Sequence, residues 1–370
     1  MPELALPPVR RQHLEALTGP LGIWQHADGI VPDETFGTCT DDVSRALVVD
    51  LLHRHELGWE AVRPSALGSL RYLEAAFDAS VGTFRNLRAA DGGWLDGPPS
   101  QESQGRALLA LGTTAREAPE VPFRLAASSL LGAAMAGAAR LTSPRAVSSA
   151  ILGLDAGLDG GESGLMAHTF SALVDRLDRT FADLDHDDEW LWPEPVLTYE
   201  GALLPHALIV AGRRLGDANR RRDGLAVLDW LIETQTARGG VFSPVGNEGW
   251  WERGAPRARF AQQPIEATAT ILASSAAFDA TRDPRYRRAA EAAYAWYLGV
   301  NEPGLMVADG DTGGCRDGLS QGHVSENQGA EATLMWLTAV ETIRSLRTRS
   351  WMSRAHRPRP QPVVVRHVRP

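Results

Sequence analysis

One pattern occurs six times along the 370-residue chain, and this repetition limits the possible folds more than any other feature. Each copy opens with a short polar or acidic turn and continues as an apolar run rich in alanine, glycine and serine. Internal repetition indicates an array of similar structural units, and small residues at close intervals suit helices that are crowded on several sides. The copies therefore predict six buried helices, which begin near Cys39, Ser100, Ser143, Thr198, Gln262 and Ser325.

Longer helical patterns with a clear polar face lie between these copies, at Ser65–Phe77, Ala167–Phe181, Ala218–Thr236 and Pro284–Leu298. Asp283 before Pro284 and Gly299 after Leu298 are typical start and stop signals of a helix. Strand-like alternation is nearly absent. The sequence thus predicts outer and inner helices in alternation, with His13–Leu17 as a short first outer helix. This order is typical of an all-α (α/α)₆ toroid.

The chain is long for one domain by the usual range of roughly 100–200 residues, but a closed ring grows with each added unit. We predict one toroid domain over residues 1–346. From residue 347 the composition changes to arginine and proline without any acid, which predicts a disordered basic tail over 347–370.

Charge and composition exclude several classes of function. The net charge of −9 disfavours a nucleic-acid groove or an anionic membrane as the main partner. The chain contains no lysine, which excludes a Walker-type phosphate loop and a Schiff-base lysine. Its two cysteines, Cys39 and Cys315, have neither disulfide-framework nor zinc spacing. With no signal-peptide pattern and no long apolar segment, we expect a cytoplasmic protein without metal, cofactor or membrane partner.

The links that lead into the inner helices are mostly long, and in a ring of hairpins they all fall on one rim. Long loops in a compact domain are usually functional, so we expect the site at this rim. The long links are Thr18–Thr40, Arg88–Ser100, Leu184–Leu197, Ala237–Ala261 and Gly299–Val324.

Carboxylates, tryptophans and amides concentrate on these links and at the helix starts that follow them. This mixture suits a sugar, since an indole stacks on the apolar face of the ring and carboxylates and amides bind its hydroxyls. Cleavage of a glycosidic bond needs two carboxyl groups. We predict Asp42 and Glu266 as this pair, with Glu326, Glu200 and Asp311 as further catalytic candidates. The predicted substrate-binding residues are Asp41, Arg45, Trp24, Trp94, Tyr199, Trp250, Trp251, Gln262, Gln263, Asn327 and Gln328.

A second interpretation of each acid is structural. A carboxylate in the first turn of a helix is stabilised by about 0.3–1 kcal/mol through the helix dipole, whatever the protein does. Asp41 and Asp42 after Thr40 fit an N-terminal cap, and Glu266 after Pro264 fits a capping box. Capping explains acids at helix starts, but it does not explain the tryptophans and paired glycines in the loops beside them.

The chain resembles a bacterial group of six-hairpin glycosidase-like proteins, often encoded beside or fused to glycosyltransferases. The resemblance extends from about Leu21 to Ala339 and is carried by the segments CTDDVSRAL, LTYEGALLPHALI, FSPVGNEGWWERG, QQPIEA, DTGGCRDGL and ENQGAEATLMWL. It implies the (α/α)₆ fold, a sugar or oligosaccharide substrate and a possible glycosyltransferase partner. The chain departs from the group's pattern at Glu200–Leu203, where the group often has D-N-A-R, and at Ala261, where it often has an acid.

Three functions remain open at this stage. The first is a glycoside hydrolase that uses a carboxylate pair on the rim. The second is a sugar epimerase or isomerase, which would need His206 and His323 within reach of one sugar. The third is a glycan-binding module without catalysis, which the two departures from the group's pattern favour.

Overall fold

The computed structural model describes residues 4–95, 97, 100–159, 164–182 and 189–355. Its helices are α1 Gln12–Leu17, α2 Thr40–Leu57, α3 Trp59–Ala76, α4 Gln101–Glu117, α5 Val121–Ala133, α6 Met135–Ala138, α7 Pro144–Leu158, α8 Gly164–Ala182, α9 Leu203–Arg214, α10 Ala218–Thr234, α11 Pro264–Thr281, α12 Pro284–Tyr297 and α13 Ala330–Ala355. Short strands connect them: β1 Thr18–Gly19, β2 Gly22–Asp28, β3 Val31–Cys39, β4 Phe77–Asp78, β5 Thr83–Phe84, β6 Leu87–Arg88, β7 Val196–Leu197, β8 Trp251–Glu252, β9 Leu319–Ser320 and β10 His323–Val324.

Helices α2, α4, α7, α9, α11 and α13 form the inner ring. Each contacts the next, and α13 closes the ring by contacting α2. Helices α3, α5, α8, α10 and α12 each follow an inner helix and pack against it from outside, and α1 packs against α13. The predicted (α/α)₆ toroid is confirmed. Within the described residues, no helix is long and apolar enough to cross a membrane.

The inner helices are buried on almost every side, as their small residues predict. In α11, for example, most residues between Pro264 and Phe278 are buried. Glycine permits the closest crossing, between α4 and α7: a Cβ on Gly112 would lie 1.8 Å from the carbonyl oxygen of Gly153. Close packing of the backbones is therefore what closes the ring at this point.

The near absence of strand alternation predicts a loop for the first long link, Thr18–Thr40. The structure instead has a β-hairpin there. Strands β2 and β3 pair antiparallel and form a sheet in the order β1-β2-β3-β6. Asp28 and Val31 pair at the end of the hairpin, so that Gly29 and Ile30 form a two-residue turn with Gly29 at φ 60°. Glycine at the first position of such a turn is a hairpin signal in the sequence. Strand β3 leads directly into α2, where Cys39 is the N-cap. The hairpin therefore holds the start of α2 at the rim.

Two inner helices begin later than their sequence patterns indicate. Helix α9 begins at Leu203, so that Glu200 lies in the preceding turn with φ 52°. Helix α13 begins at Ala330, so that Glu326 is in the irregular segment before it. The first-turn interpretation is therefore wrong for these two acids, because the chain is still crossing the rim where they lie.

The last helix continues beyond the expected domain boundary at residue 347. Helix α13 extends to Ala355, and Arg347 forms an ion pair at 2.6 Å with Glu291 of α12. This ion pair attaches the continuing helix to α12. The rest of the tail that the sequence predicts to be disordered, residues 356–370, lies outside the described residues.

Candidate functional site

Two cavities lie next to each other where the inner helices begin. The first, called here the rim pocket, has a volume of about 320 Å³ and is lined by Gln25, His26, Cys39, Asp41, Asp42, Arg45, Gln263, Pro264, Asp317, Gly329, Glu331 and Ala332. The second, called here the axial cavity, has a volume of about 380 Å³ and runs between the inner helices, with Arg45, Arg106, Glu200 and His206 among its lining residues. Arg45 lines both cavities.

Arg45 joins the first and last inner helices at the floor of the rim pocket. Its guanidinium donates to Asp42 Oδ1 at 2.9 Å and to Glu331 Oε2 at 2.8 Å. Asp42 is one turn earlier on α2, and Glu331 lies in the first turn of α13. The side chains of Arg45 and Asp42 are 8% and 7% exposed, whereas that of Glu331 is 44% exposed. The ion pairs therefore hold two carboxylates side by side, one buried and one facing solvent.

Asp42 is held from both sides. The thiol of Cys39 donates to its Oδ2 at 3.1 Å, while Arg45 binds its Oδ1. Burial raises the pKa of Asp42, with Glu331 adding to the increase and Arg45 opposing it. Its oxygens are thus fixed in orientation and its ionisation depends on the neighbouring charges.

Asp317 brings a third carboxylate to the pocket from the loop before β9. Its Oδ1 accepts the backbone N–H of Gly329 at 2.7 Å. Burial raises the pKa of Asp317 to about 6, and the negative charges of Glu331 and Asp42 add to the increase. This carboxyl group therefore keeps its proton up to about pH 6, well above the range of an ordinary aspartate, which is the property a proton donor needs.

Arg106 of α4 organises a second group of carboxylates at the top of the axial cavity. It donates to Glu200 Oε2 at 2.7 Å and lies 3.2 Å from Asp41 and 3.4 Å from Glu102. Tyr199 donates its hydroxyl to Glu102, and this links the turn before α9 to α4. The predicted residues Asp41, Tyr199 and Glu200 are therefore brought together by an arginine that sequence reasoning did not select.

Glu266 is 3% exposed at the start of α11 and lies outside the described lining of both cavities. Its Oε1 accepts the backbone N–H of Glu200 at 2.5 Å. Burial raises the pKa of Glu266 to about 8, with the charge of Glu200 adding to it and the backbone N–H groups opposing it. In this position Glu266 supports the turn that carries Glu200.

Several predicted residues lie outside the rim pocket. Glu326 and Asp311 are exposed, and Asp311 belongs to a turn in which its backbone N–H donates to Asp309. The amide of Gln262 is buried between Arg259 and Trp296, Asn327 accepts the N–H of Gly29, and Gln328 is buried beside His13. Of the four predicted amides, Gln263 lines the pocket.

The predicted tryptophans differ in their surroundings. Trp24 is 5% exposed in the core, and Trp94 packs against Tyr72 with ring centroids 5.4 Å apart. Trp251 stacks on Trp230 at 5.6 Å. Trp250 is half-buried next to Tyr199, with ring centroids 6.1 Å apart. Of these four, Trp250 is therefore the one that adjoins the Arg106 group of carboxylates.

The histidines are separated. His206 lines the axial cavity, and burial lowers its pKa to about 4, so that the ring is neutral at physiological pH. His323 is exposed on strand β10 and is outside the described lining of both cavities. A third histidine, His26 of β2, lines the rim pocket beside Asp317.

Asp317, Glu331, His26 and Arg106 are among the polar side chains of the site that the sequence-based selection of residues omitted. Their approach to Asp42 depends on the closure of the ring between α13 and α2 and on the pairing of β2 with β3. The hairpin signal at Gly29 could have indicated His26, and the segment DTGGCRDGL, which carries part of the resemblance, contains Asp317. For Arg106 the sequence offers no comparable signal.

Solved structures of similar fold include sugar epimerases, an isomerase and mannanases. A cellobiose 2-epimerase from Bacillus thermoamylovorans aligns with a TM-score of 0.68 at 12% identity, covering 91% of this chain and 98% of that one. A D-mannose isomerase aligns with a TM-score of 0.66 at 10% identity, covering 90% of this chain and 96% of that one. A GH76 α-mannanase from Bacteroides thetaiotaomicron aligns with a TM-score of 0.63 at 9% identity, covering 93% of this chain and 96% of that one.

No family model matches the sequence, and no curated protein matches it either. Identities near 10% establish the fold and leave the reaction open. The chain thus shares the (α/α)₆ toroid of six-hairpin glycosidase-like enzymes.

Proposed function

We propose that this protein is a glycoside hydrolase whose rim pocket holds one sugar unit next to the bond that is cleaved. The observation that carries the proposal is the meeting of Asp42, Asp317 and Glu331 in one pocket of about 320 Å³, which is near the lower end of the range of about 300–1,000 Å³ for small-molecule sites. Two of these carboxyl groups have raised pKa values.

In this proposal Asp317 donates the proton and Asp42 is the second carboxylate. The Asp317 carboxyl protonates the glycosidic oxygen as the bond to the anomeric carbon breaks. Asp42, whose ionised form Arg45 stabilises, either takes a proton from a water that attacks the anomeric carbon, or attacks this carbon itself and forms a glycosyl ester that water then hydrolyses. Glu331 and Gln263 are placed to bind hydroxyl groups of the sugar.

This assignment changes one member of the pair that the sequence predicts. Asp317 takes the place of Glu266 in the pair. The carboxyl group of Glu266 binds the backbone N–H of Glu200, and Glu266 is outside the described lining of the rim pocket. We assign Glu266 a positioning role for the turn before α9.

Proton NMR of the purified protein with a panel of oligosaccharides tests the proposal. We expect new anomeric signals, whose first-formed anomer reports retention or inversion. Asp42→Asn and Asp317→Asn should each reduce the rate by about 10²–10⁴-fold, the usual contribution of a general acid or base. The matched control is Asp311→Asn, the same change at an exposed turn, which should keep the rate of the wild type.

A sugar epimerase is the second candidate, and the neutral His206 in the axial cavity favours it. A neutral imidazole can remove a proton next to a carbonyl group. Interconversion of free reducing sugars that is lost in His206→Asn and kept in Asp42→Asn would replace the hydrolase with this function. Binding of a glycan without any turnover would instead support a binding module, for which the resemblance suggests a glycosyltransferase as partner.

A further inference from the structure

A third cavity, called here the arginine pocket, opens between the α10–α11 loop and the α12–α13 loop. Its volume is about 800 Å³, and its lining includes Arg238, Arg257, Arg259, Asn301, Glu302 and Gln321. The charged residues among the described lining are three arginines and one glutamate. The pocket is therefore cationic in a chain whose net charge is −9.

The single carboxylate of the pocket is already occupied. Ser243 donates its hydroxyl to Glu302 Oε2 at 2.6 Å, and Arg259 forms an ion pair with the other oxygen. Burial alone would raise the pKa of Glu302, but these two partners lower it. Glu302 is thus ionised and neutralises one arginine, so that two positive charges remain.

Arg257 carries one of these charges in a fixed position. Its Nη1 donates to the carbonyl oxygens of Thr234 at 2.7 Å and Ser243 at 2.8 Å. Carbonyl groups orient a guanidinium but bring no negative charge. Burial lowers the pKa of Arg257, with Glu302 opposing the decrease. A bound anion would therefore recover part of the cost of burying this cation.

Arg238 carries the other charge. It is exposed at the edge of the pocket and makes no hydrogen bond or ion pair with any residue that the structure describes. Its planar guanidinium has the geometry that binds two oxygens of a carboxylate, sulfate or phosphate group. The three arginines thus line one pocket: Arg257 is held by two carbonyl groups, Arg259 is paired with Glu302, and Arg238 is exposed at the edge.

The arginine pocket and the rim pocket lie on two sides of one backbone bridge. Gln262 and Leu319 exchange backbone hydrogen bonds of 2.9 and 2.8 Å. On one side, the side-chain amide of Gln262 donates to the backbone carbonyl of Arg259, which lines the arginine pocket, and to Ser243, the partner of Glu302. On the other side, Gln263 and Asp317 line the rim pocket. A glycan that enters the rim pocket can therefore extend over this bridge.

We propose that the arginine pocket binds the oxyanion group of an acidic glycan, a carboxylate, sulfate or phosphate on a sugar unit near the one held in the rim pocket. The inference rests on the proposed function for the identity of the ligand as a glycan. The anion site itself depends only on the arginines. A substrate with such a group is selected by charge in addition to ring shape.

The test is a titration followed by NMR of the arginine Nε–H groups, with glucuronate, inorganic sulfate, inorganic phosphate and uncharged glucose as probes. We expect at least one of the three anions to shift pocket signals with an affinity that weakens as salt is added, and glucose to shift none. The variant Arg238→Gln/Arg259→Gln should weaken the binding at least tenfold. The matched control is Arg222→Gln, an exposed arginine of α10 paired with Asp223, which should bind as the wild type does.

The result distinguishes the sources of the anion and the two proposals. Tighter binding of glucuronate identifies a uronic acid, and tighter binding of sulfate or phosphate identifies an ester. If no anion binds better than glucose, or if the double variant binds like Arg222→Gln, the inference is overturned even where neutral oligosaccharides are cleaved. Anion binding that persists in Asp317→Asn without any cleavage by the wild type would overturn only the hydrolase.

Discussion

A carboxylate oxygen of Glu266 accepts the backbone N–H of Glu200 at 2.5 Å, and this bond ties the start of α11 to the turn before α9. Glu200 has a left-handed backbone with φ 52°, which is unusual for a residue with a side chain. Glu200 also binds Arg106 at 2.7 Å. One buried carboxyl group thus supports the strained turn that places a rim carboxylate over the axial cavity.

This arrangement predicts a pH dependence of stability. Burial raises the pKa of Glu266 from 4.5 to about 8 in the folded protein. Between these pH values the folded protein keeps a proton that the unfolded chain has lost, so the free energy of unfolding should fall as pH rises. At about 1.4 kcal/mol per pKa unit, the decrease amounts to several kcal/mol.

Urea unfolding at pH 5 and pH 8 measures the effect. Glu266→Gln keeps the shape of the side chain without a titrating group, and should remove the part of the difference between the two pH values that Glu266 contributes. Glu326→Gln, the same change at an exposed site, should leave the difference unchanged. Equal pH dependence in the wild type and Glu266→Gln would mean that Glu266 titrates as it does in the unfolded chain.

The pKa of Asp317 predicts the alkaline side of the activity profile. A proton donor with a pKa of about 6 loses its proton as pH rises, so kcat/KM should decrease above about pH 6. Removing the negative charge of Glu331 with Glu331→Gln should lower the pKa of Asp317 and move this decrease to lower pH. The pH dependence of kcat/KM, measured for the wild type and for Glu331→Gln, checks this prediction. An unchanged or higher midpoint in Glu331→Gln would exclude Asp317 as the titrating donor.

Much of the fold could be predicted from the sequence because local patterns determine it. Small-residue helices and polar-faced helices alternate, and their capping signals, such as Asp283 before α12, act over a few residues. The β2–β3 hairpin was missed because its alternation is interrupted by a bulge between Trp24 and His26. A seven-residue strand with such a break has too weak a period to stand out.

The candidate site was predicted only in part, because it is formed by contacts over long sequence distances. Asp42 and Arg45 were selected from one helix start, whereas Glu331 joins them from 286 residues away. Glu266 has the sequence context of a rim acid, but its side chain is directed to the backbone of Glu200. Sequence position indicated the rim at which Asp42 and Arg45 lie, and the direction of each side chain depended on packing that one sequence does not reveal.

The crossing of α4 and α7 predicts a strong response to a single methyl group. A Cβ on Gly112 would lie 1.8 Å from the carbonyl oxygen of Gly153, so Gly112→Ala must push the two helices apart. Overpacking of this kind typically costs about 1–3 kcal/mol, and backbone contact places this site at the upper end. Gly132→Ala is the matched control, since nothing lies within 4 Å of its added methyl group in α5.

Thermal unfolding compares the two variants. Gly132→Ala should stabilise the protein slightly, by about 0.5–1 kcal/mol, because alanine favours a helix over glycine. Gly112→Ala should lower the melting temperature and reduce activity, because α4 carries Arg106 at the rim. Equal melting temperatures of the two variants would contradict the close crossing.

Two adjacent tryptophans are expected to have different roles. Trp251 contacts Trp190 at 5.0 Å and stacks on Trp230 at 5.6 Å, and its Nε1–H donates to the carbonyl of Ala255 at 2.9 Å. Trp251→Ala should therefore reduce the free energy of unfolding, by about 3 kcal/mol, the lower end of the range for tryptophan to alanine changes because this ring is half-buried. Sugar affinity should change little once the variant is folded.

Trp250 lies next to Tyr199, and Tyr199 donates its hydroxyl to Glu102 in the Arg106 group of carboxylates. An indole at this position can stack on the ring of a sugar that extends from the rim pocket. Trp250→Ala should raise KM for an oligosaccharide several-fold and reduce the free energy of unfolding less than Trp251→Ala does, because Trp250 has one aromatic neighbour where Trp251 has two. Steady-state kinetics and urea unfolding of both variants distinguish the roles. If Trp250→Ala and Trp251→Ala lose stability equally and bind sugar alike, the two indoles form one structural cluster and neither belongs to the sugar site.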